Sequence, residues 1–197
     1  MDDMRKGDLL EAVLDRTQAV VAGVPDGTAG DPTPCTEWDV EQLTRHMVGW
    51  VTTFERIVAT GAMPSGEPDD VEVHDAAAQY RAAADALVGA WRSGDGPDGA
   101  YRMTGEQPIP GTFLYPMMLG EFIGHGWDLA KATGQPLAWP PEAATAALES
   151  MRAMVQPQMR GPGKFVGHEV EVPDDAPPLD KLVAFSGRDP GWQPPAE

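Results

Sequence analysis

Apolar residues recur along most of this 197-residue chain at the three- and four-residue spacing of amphipathic helices. Stretches rich in glycine and proline interrupt the pattern and mark the connections between elements. No stretch has the alternation of a convincing hairpin, so we predict an all-α fold: a four-helix bundle with an additional helix, irregular loops and a C-terminal tail. The predicted long helices cover about residues 7–24, 40–60, 74–91, 112–133 and 140–159, and a short helix lies within residues 179–187.

Some of the predicted helix ends carry specific signals. Asp39 and Gln42 have the spacing of an N-cap and its capping-box partner at the start of the second helix. Gly134 is placed at the C-cap of the fourth helix. Pro116 is placed within about the first turn of that helix, where a missing N–H does least harm. The segment 93–111 is predicted to be irregular, with room at its centre for a short extended piece.

Composition narrows the classes of partner. The length fits one domain spanning residues 1–197, and homodimer formation stays open. A formal net charge of -17 repels phosphate backbones and anionic membranes, so we expect neither nucleic acid nor a membrane as a partner. The single cysteine excludes an internal disulfide. The N-terminus lacks the apolar segment of an export signal, so we expect a cytoplasmic location.

The fourth predicted helix carries the stretch GEFIGHGWDLAKATG, which places a carboxylate and an imidazole one turn apart. Glu121 and His125 share a stripe with apolar residues such as Leu114 and Leu129, and Asp128 falls on the same side. Burying an unpaired carboxylate costs several kcal/mol, so this pair needs a partner. A divalent metal is the most economical partner, and it requires at least one further ligand.

His46, at the edge of the apolar stripe of the second helix, is the candidate for that further ligand. In a bundle, the second and fourth helices can face each other and bring His46 towards Glu121 and His125. Two imidazoles and one carboxylate match a zinc site with an open coordination position, although nickel or iron would accept the same set. Spacing alone also allows another interpretation, in which Glu121 and His125 are an ordinary surface pair and His46 is a hydrogen-bonded core histidine.

Three segments carry a family resemblance: TPCTEWDVEQLTRHMVGW at 33–50, GHGWDLAKATGQP at 124–136 and LVAFSGRDPGW at 182–192. They resemble the actinobacterial branch of the DinB-like superfamily, close to the metal-binding domain of mycothiol-dependent maleylpyruvate isomerases. The resemblance spans essentially the whole chain and implies a DinB-like bundle with a divalent metal, usually zinc, at one end. The positions that match the family's ligands are His46, Glu121 and His125.

The resemblance also implies a chemistry. A low-molecular-weight thiol such as mycothiol would bind as a thiolate and act as a cosubstrate, making the protein an S-transferase or isomerase for a small electrophilic substrate. The isomerases carry a second domain that we expect this chain to lack, which weakens the case for maleylpyruvate isomerisation itself. The alternatives are a non-catalytic protein that binds a metal and a small molecule, and a bundle in which the polar residues are only structural.

Other chemically notable residues receive predictions of their own. Asp128 either orients a ligand imidazole as a hydrogen-bond acceptor or has a structural role. Cys35 is predicted to be a buried structural thiol rather than a nucleophile or fourth ligand. Arg188 is predicted to anchor the tail through a carboxylate rather than to clamp an anion. Trp50 and Trp127 are predicted in the core, and His74 and His168 on the surface.

Overall fold

A computed structural model describes residues 3–103, 107–164 and 166–195, and the predictions for residues 1–2, 104–106, 165 and 196–197 fall outside this part. The described residues are mostly helical, which confirms the all-α prediction. The helices are α1 (Asp3–Ala22), α2 (Val40–Thr60), α3 (Ala76–Ser93), α4 (Gly111–Ala132), α5 (Pro141–Met154) and α6 (Pro178–Phe185), with 3₁₀ turns at Pro68–Asp70, Gly96–Asp98 and Pro157–Met159.

The first four helices form the bundle. Helix α1 packs against α3 and α4, and α2 packs against the same two helices, so the four close around one apolar core. Phe122 of α4 lies at its centre, with its ring 5.7 Å from that of Phe54 on α2 and 6.4 Å from that of Tyr80 on α3. Helix α5 packs on α4, and α6 packs on α5. Among the described helices, none combines the length and apolar character needed to cross a membrane.

The helix ends confirm some of the predicted signals and correct others. The Asp39 side chain accepts a hydrogen bond from the Gln42 amide, and the Gln42 side chain accepts one from the Asp39 amide, as predicted. Gly134, with φ of 67°, lies one residue beyond the C-cap Thr133. The Gly134 amide donates to the Lys131 carbonyl and the Gln135 amide to the Ala130 carbonyl, which is the Schellman motif that ends many helices. Pro116 lies in the second turn rather than the first, since α4 begins earlier than predicted.

One connecting segment and the ends of two helices also differ from the prediction. Strands β1 (Ala100–Tyr101) and β2 (Ile109–Pro110) pair antiparallel inside the segment predicted to be irregular. With two residues each, they are too short to produce an alternating pattern. Helix α5 ends at Met154 instead of 159, because the residue before Pro157 is extended, as expected before a proline. Helix α1 covers 3–22 rather than 7–24.

Candidate metal centre

Facing turns of α2 and α4 bring together His46, Glu121 and His125, which we call the triad. The Nε2 atom of His46 lies 3.1 Å from Oε1 of Glu121, and Nε2 of His125 lies 3.7 Å from the same oxygen. One donor atom of each residue lies within 4.8 Å of the other two. Two ligands of a tetrahedral zinc ion, each about 2.0 to 2.1 Å from the metal, are about 3.3 Å apart. The donor set and its spacing therefore fit a single metal ion.

Both imidazoles are held through their other nitrogen by a carboxylate. His46 Nδ1 lies 2.7 Å from Oδ1 of Asp69, and His125 Nδ1 lies 3.2 Å from Oδ2 of Asp128. With the proton on Nδ1, next to its carboxylate, each imidazole keeps a lone pair on Nε2 that can bind a metal. Both Nε2 atoms lie next to Glu121, so the two bare nitrogens converge on one carboxylate oxygen.

This convergence needs a positive charge at its centre. If His46 is neutral with its proton on Nδ1, an Nε2 lone pair faces the carboxylate of Glu121, and two acceptors oppose each other. Burial lowers the pKa of His46, but Glu121 and Asp69 outweigh burial and raise it above its ordinary value. Burial raises the pKa of Glu121, and the two imidazoles and Arg188 outweigh it and lower that pKa. A proton or a metal cation between the residues satisfies this arrangement.

The charge balance of the cluster suits a dication. With neutral imidazoles, three carboxylates, those of Glu121, Asp69 and Asp128, stand against the single guanidinium of Arg188. The cluster therefore has a surplus of two negative charges. Cys35, His125 and Asp128 form a second group of close donors. In that group the carboxylate already forms two bonds to Arg188, so the triad is the better metal site.

Close backbone packing positions Asp69. Its 3₁₀ turn, Pro68–Asp70, rests directly on α2 at Gly49, three residues beyond His46. A Cβ atom at Gly49 would lie 2.0 Å from the carbonyl oxygen of Pro68, far inside any permitted contact. A residue without a side chain is therefore required at position 49 for the turn to reach the imidazole.

Arg188 fixes the carboxylate at the other imidazole. Its Nε lies 2.7 Å from Oδ1 of Asp128 and its Nη2 lies 2.6 Å from Oδ2, a two-point pairing of a fully buried carboxylate. The predicted role of Arg188 as a tail anchor is thereby confirmed. Burial raises the pKa of Asp128, but Arg188 and His125 outweigh it and lower that pKa. His125 is thus tied through Asp128 to a residue 63 positions further along the chain.

A cavity of about 640 Å³ opens from the triad. Trp38, from the loop before α2, lies beside both imidazoles, with ring centroids 4.0 Å from His46 and 5.4 Å from His125. Half-buried Trp50 packs against the core and also lines the cavity, so its prediction as a core residue is only partly right. Trp127 is fully buried in the core, as predicted.

The remaining predicted residues lie around this cavity or away from it. Cys35 is half-buried on the cavity wall, where burial and Asp128 raise the pKa of its thiol to about 11. His74 is exposed beside Glu72, as predicted. His168 is exposed too, as predicted, and it lies at the cavity rim.

Two residues of the site escaped sequence reasoning, Asp69 and Trp38. Both come from loops, and helical periodicity gives no information on where a loop returns to the body. One signal was available for Trp38, because it falls inside the family-like segment 33–50 immediately before the helix that carries His46. Asp69 lies in an acidic, proline-containing stretch whose composition is typical of a solvated linker.

Fold and site together define a DinB-like helical bundle with a cluster of histidines and carboxylates that fits a metal ion. The chain belongs to the family of the mycothiol maleylpyruvate isomerase N-terminal domain, whose model matches residues 10–130. The match includes all three triad residues and ends before Arg188. That residues 1–197 form one domain stays a prediction.

Two similar proteins come from Mycobacterium tuberculosis: uncharacterized protein MT0763 of strain CDC 1551 / Oshkosh and uncharacterized protein Rv0738 of strain H37Rv. Each is 37% identical to the chain over 176 residues, which cover 88% of this chain and 92% of the relative. No solved structure matches the chain significantly.

Proposed function

We propose that His46, Glu121 and His125 bind one divalent metal, zinc in preference to nickel or iron, in a thiol-dependent enzyme. The observation that carries the proposal is the convergence of two Nε2 atoms on Glu121, each imidazole being held at Nδ1 by a carboxylate. Three protein ligands are the usual number for a catalytic zinc, which keeps a further position for water or substrate.

The thiol comes from outside the chain. Cys35 is the single cysteine, and its pKa of about 11 keeps it protonated and weakly nucleophilic near neutral pH. Held by His46, Glu121 and His125, a zinc ion would supply the positive charge that lowers the pKa of an external thiol. The family name points to mycothiol as that thiol. The proposed reaction is transfer of the thiol to a small electrophile, or thiol-assisted isomerisation of one.

A second candidate is a protein that binds a metal and a small molecule without turnover. The observation in its favour is that Asp69, Asp128 and Arg188 are all engaged in holding the imidazoles. All three therefore position the imidazoles, a role that a binding protein without turnover would need as well. Consumption of thiol that stops on chelation and returns with added zinc would decide for the enzyme.

Metal content is the first test. Protein purified without a metal-binding tag should contain close to one divalent ion per chain by elemental analysis, because the three donors share one site. His46→Ala and His125→Ala should each lose the metal. His74→Ala, which removes an exposed imidazole, is the matched control and should retain it. If both triad variants retain metal at the wild-type ratio, the proposed site is wrong.

A further inference from the structure

The cavity beyond the triad has mainly apolar walls. Trp50 and Phe54 line it from α2, Met117 from α4, and Met151 and Met154 from α5. Its volume of about 640 Å³ falls in the usual range of small-molecule sites. Methionine side chains adapt to ligands of different shape, and tryptophan offers a flat, rigid contact surface.

Helix α4 leaves open space on the cavity side. Gly120 and Gly124 lie one turn apart on either side of Glu121, and both line the cavity. Gly124 is buried, yet a Cβ atom there would meet no atom within 4 Å. Glycine inside a helix costs about 1 kcal/mol of stability relative to alanine. Since a Cβ at position 124 would meet no atom, packing does not explain why glycine stands there. Gly126 differs, because its Cβ would lie 2.6 Å from the Trp139 ring.

Apart from the triad, where a bound cation would lie, the described residues of the cavity offer no free cation to a buried anion. Arg188 is committed to Asp128 through two bonds, and its third nitrogen donates to Ser186. Lys164 is exposed at the rim. A carboxylate placed against the walls away from the triad would therefore lose water without gaining a partner, whereas a neutral apolar group would lose nothing.

We propose that this cavity binds a neutral aromatic compound, with the ring lying over the Gly120–Gly124 strip of α4 and against Trp50. The inference rests on the proposed function in one respect: the aromatic compound is the second substrate beside the thiol. The side-chain-free strip gives a planar ring the clearance that a leucine or an alanine at position 124 would remove.

The test uses 1-naphthol, a neutral aromatic alcohol without electrophilic character, and phthalate, an aromatic dianion. Calorimetric titration of the full chain should show 1-naphthol binding both with zinc and after chelation, and phthalate binding at least tenfold more weakly than 1-naphthol after chelation, when no zinc is present to bind its carboxylates. Gly124→Leu should reduce naphthol affinity at least tenfold, and Gly124→Ala should reduce it less. The matched control is Gly89→Leu on the exposed face of α3, where a Cβ also meets no atom within 4 Å.

Both leucine variants should melt no lower than wild type, because leucine is the better helix former, and this melting check excludes a folding defect. Wild-type affinity in Gly124→Leu, no naphthol binding to wild type, or tighter binding of phthalate than of 1-naphthol after chelation would each overturn the inference. Naphthol binding to protein that takes up no metal would support the aromatic site and overturn the proposed function. Metal uptake without naphthol binding would support the proposed metal site and overturn the aromatic site.

Discussion

At the scale of single residues, the thiol of Cys35 is the nearest potential competitor of an external thiol. It lies on the cavity wall, within 4.8 Å of donor atoms of His125 and Asp128. Burial is the main cause of its raised pKa, and the negative charge of Asp128 adds to it, while Arg188 acts in the opposite direction. A thiol with a pKa of about 11 is an inert part of the wall near neutral pH.

Alkylation measures this property directly. A pKa raised from 9.0 to about 11 lowers the thiolate fraction at pH 8 about a hundredfold. We therefore expect iodoacetamide to modify folded protein up to about a hundredfold more slowly than an ordinary thiol, because the higher intrinsic reactivity of a more basic thiolate recovers part of the loss, with a rate that still rises between pH 9 and 10. Mass spectrometry resolves the reaction because the chain has one cysteine. In urea the rate should level off above pH 9, and a plateau near pH 8 in folded protein would contradict the prediction.

The residues of the site differ in how far the sequence alone predicted their positions. Glu121, His125 and Asp128 share one helix, so their spacing alone placed them on one side. His46 required the assumption that two helices face each other, which the bundle satisfies. Asp69 could not be found, because its position depends on a close backbone contact of a loop and not on any period.

At the scale of elements, that loop contact makes Gly49 a determinant of the site. The Pro68–Asp70 turn approaches α2 so closely that any side chain at position 49 must push it away. The α2 helix itself would tolerate alanine well, since alanine is the strongest helix former. The effect of a substitution should therefore appear in the position of Asp69 and in the orientation of the His46 ring, which Asp69 holds.

Gly49→Ala should weaken zinc binding about 10- to 100-fold, the usual effect of losing the hydrogen-bond partner of a ligand imidazole. Competition with a chromophoric chelator measures this change. Asp69→Ala should have a similar effect, and the double variant should be no worse than either single one, because both remove the same contact. Gly89→Ala on α3 should leave zinc affinity unchanged. Additive losses in the double variant would show that Gly49 acts by another route.

At the scale of the whole molecule, the C-terminal segment packs on the bundle through α6 and, among the described residues, also joins it through the buried ion pair of Asp128 and Arg188. The family model ends at residue 130, but the carboxylate that holds His125 is itself held by Arg188. Two hydrogen bonds to its backbone fix the segment just before this arginine: the Gly167 amide donates to the Ser186 carbonyl, and the Arg160 side chain donates to the Phe185 carbonyl. Helical periodicity predicted the bundle, and the family-like LVAFSGRDPGW segment drew attention to Arg188. Only the folded chain identifies its partner 60 residues earlier.

Removing one partner of this ion pair should lower the stability of the fold. The Asp128 carboxylate is fully buried, so Arg188→Met leaves a charge without compensation and should lower the free energy of unfolding by about 3 to 5 kcal/mol. Urea unfolding at neutral pH measures the loss. Asp128→Asn combined with Arg188→Met removes both charges, and should therefore cost less than the sum of the single variants.

Arg92 provides the matched control for this cycle. It too forms two bonds to carboxylate oxygens, one of Asp8 and one of Glu11, but its side chain is 42% exposed, so Arg92→Met should change stability little. Each guanidinium group contacts two carboxylate oxygens. A difference between the two arginine variants in the free energy of unfolding therefore reports the effect of burial and not the number of these contacts. If Arg188→Met unfolds at the wild-type urea concentration, then Asp128 is held by its helix alone, and the C-terminal segment does not support His125.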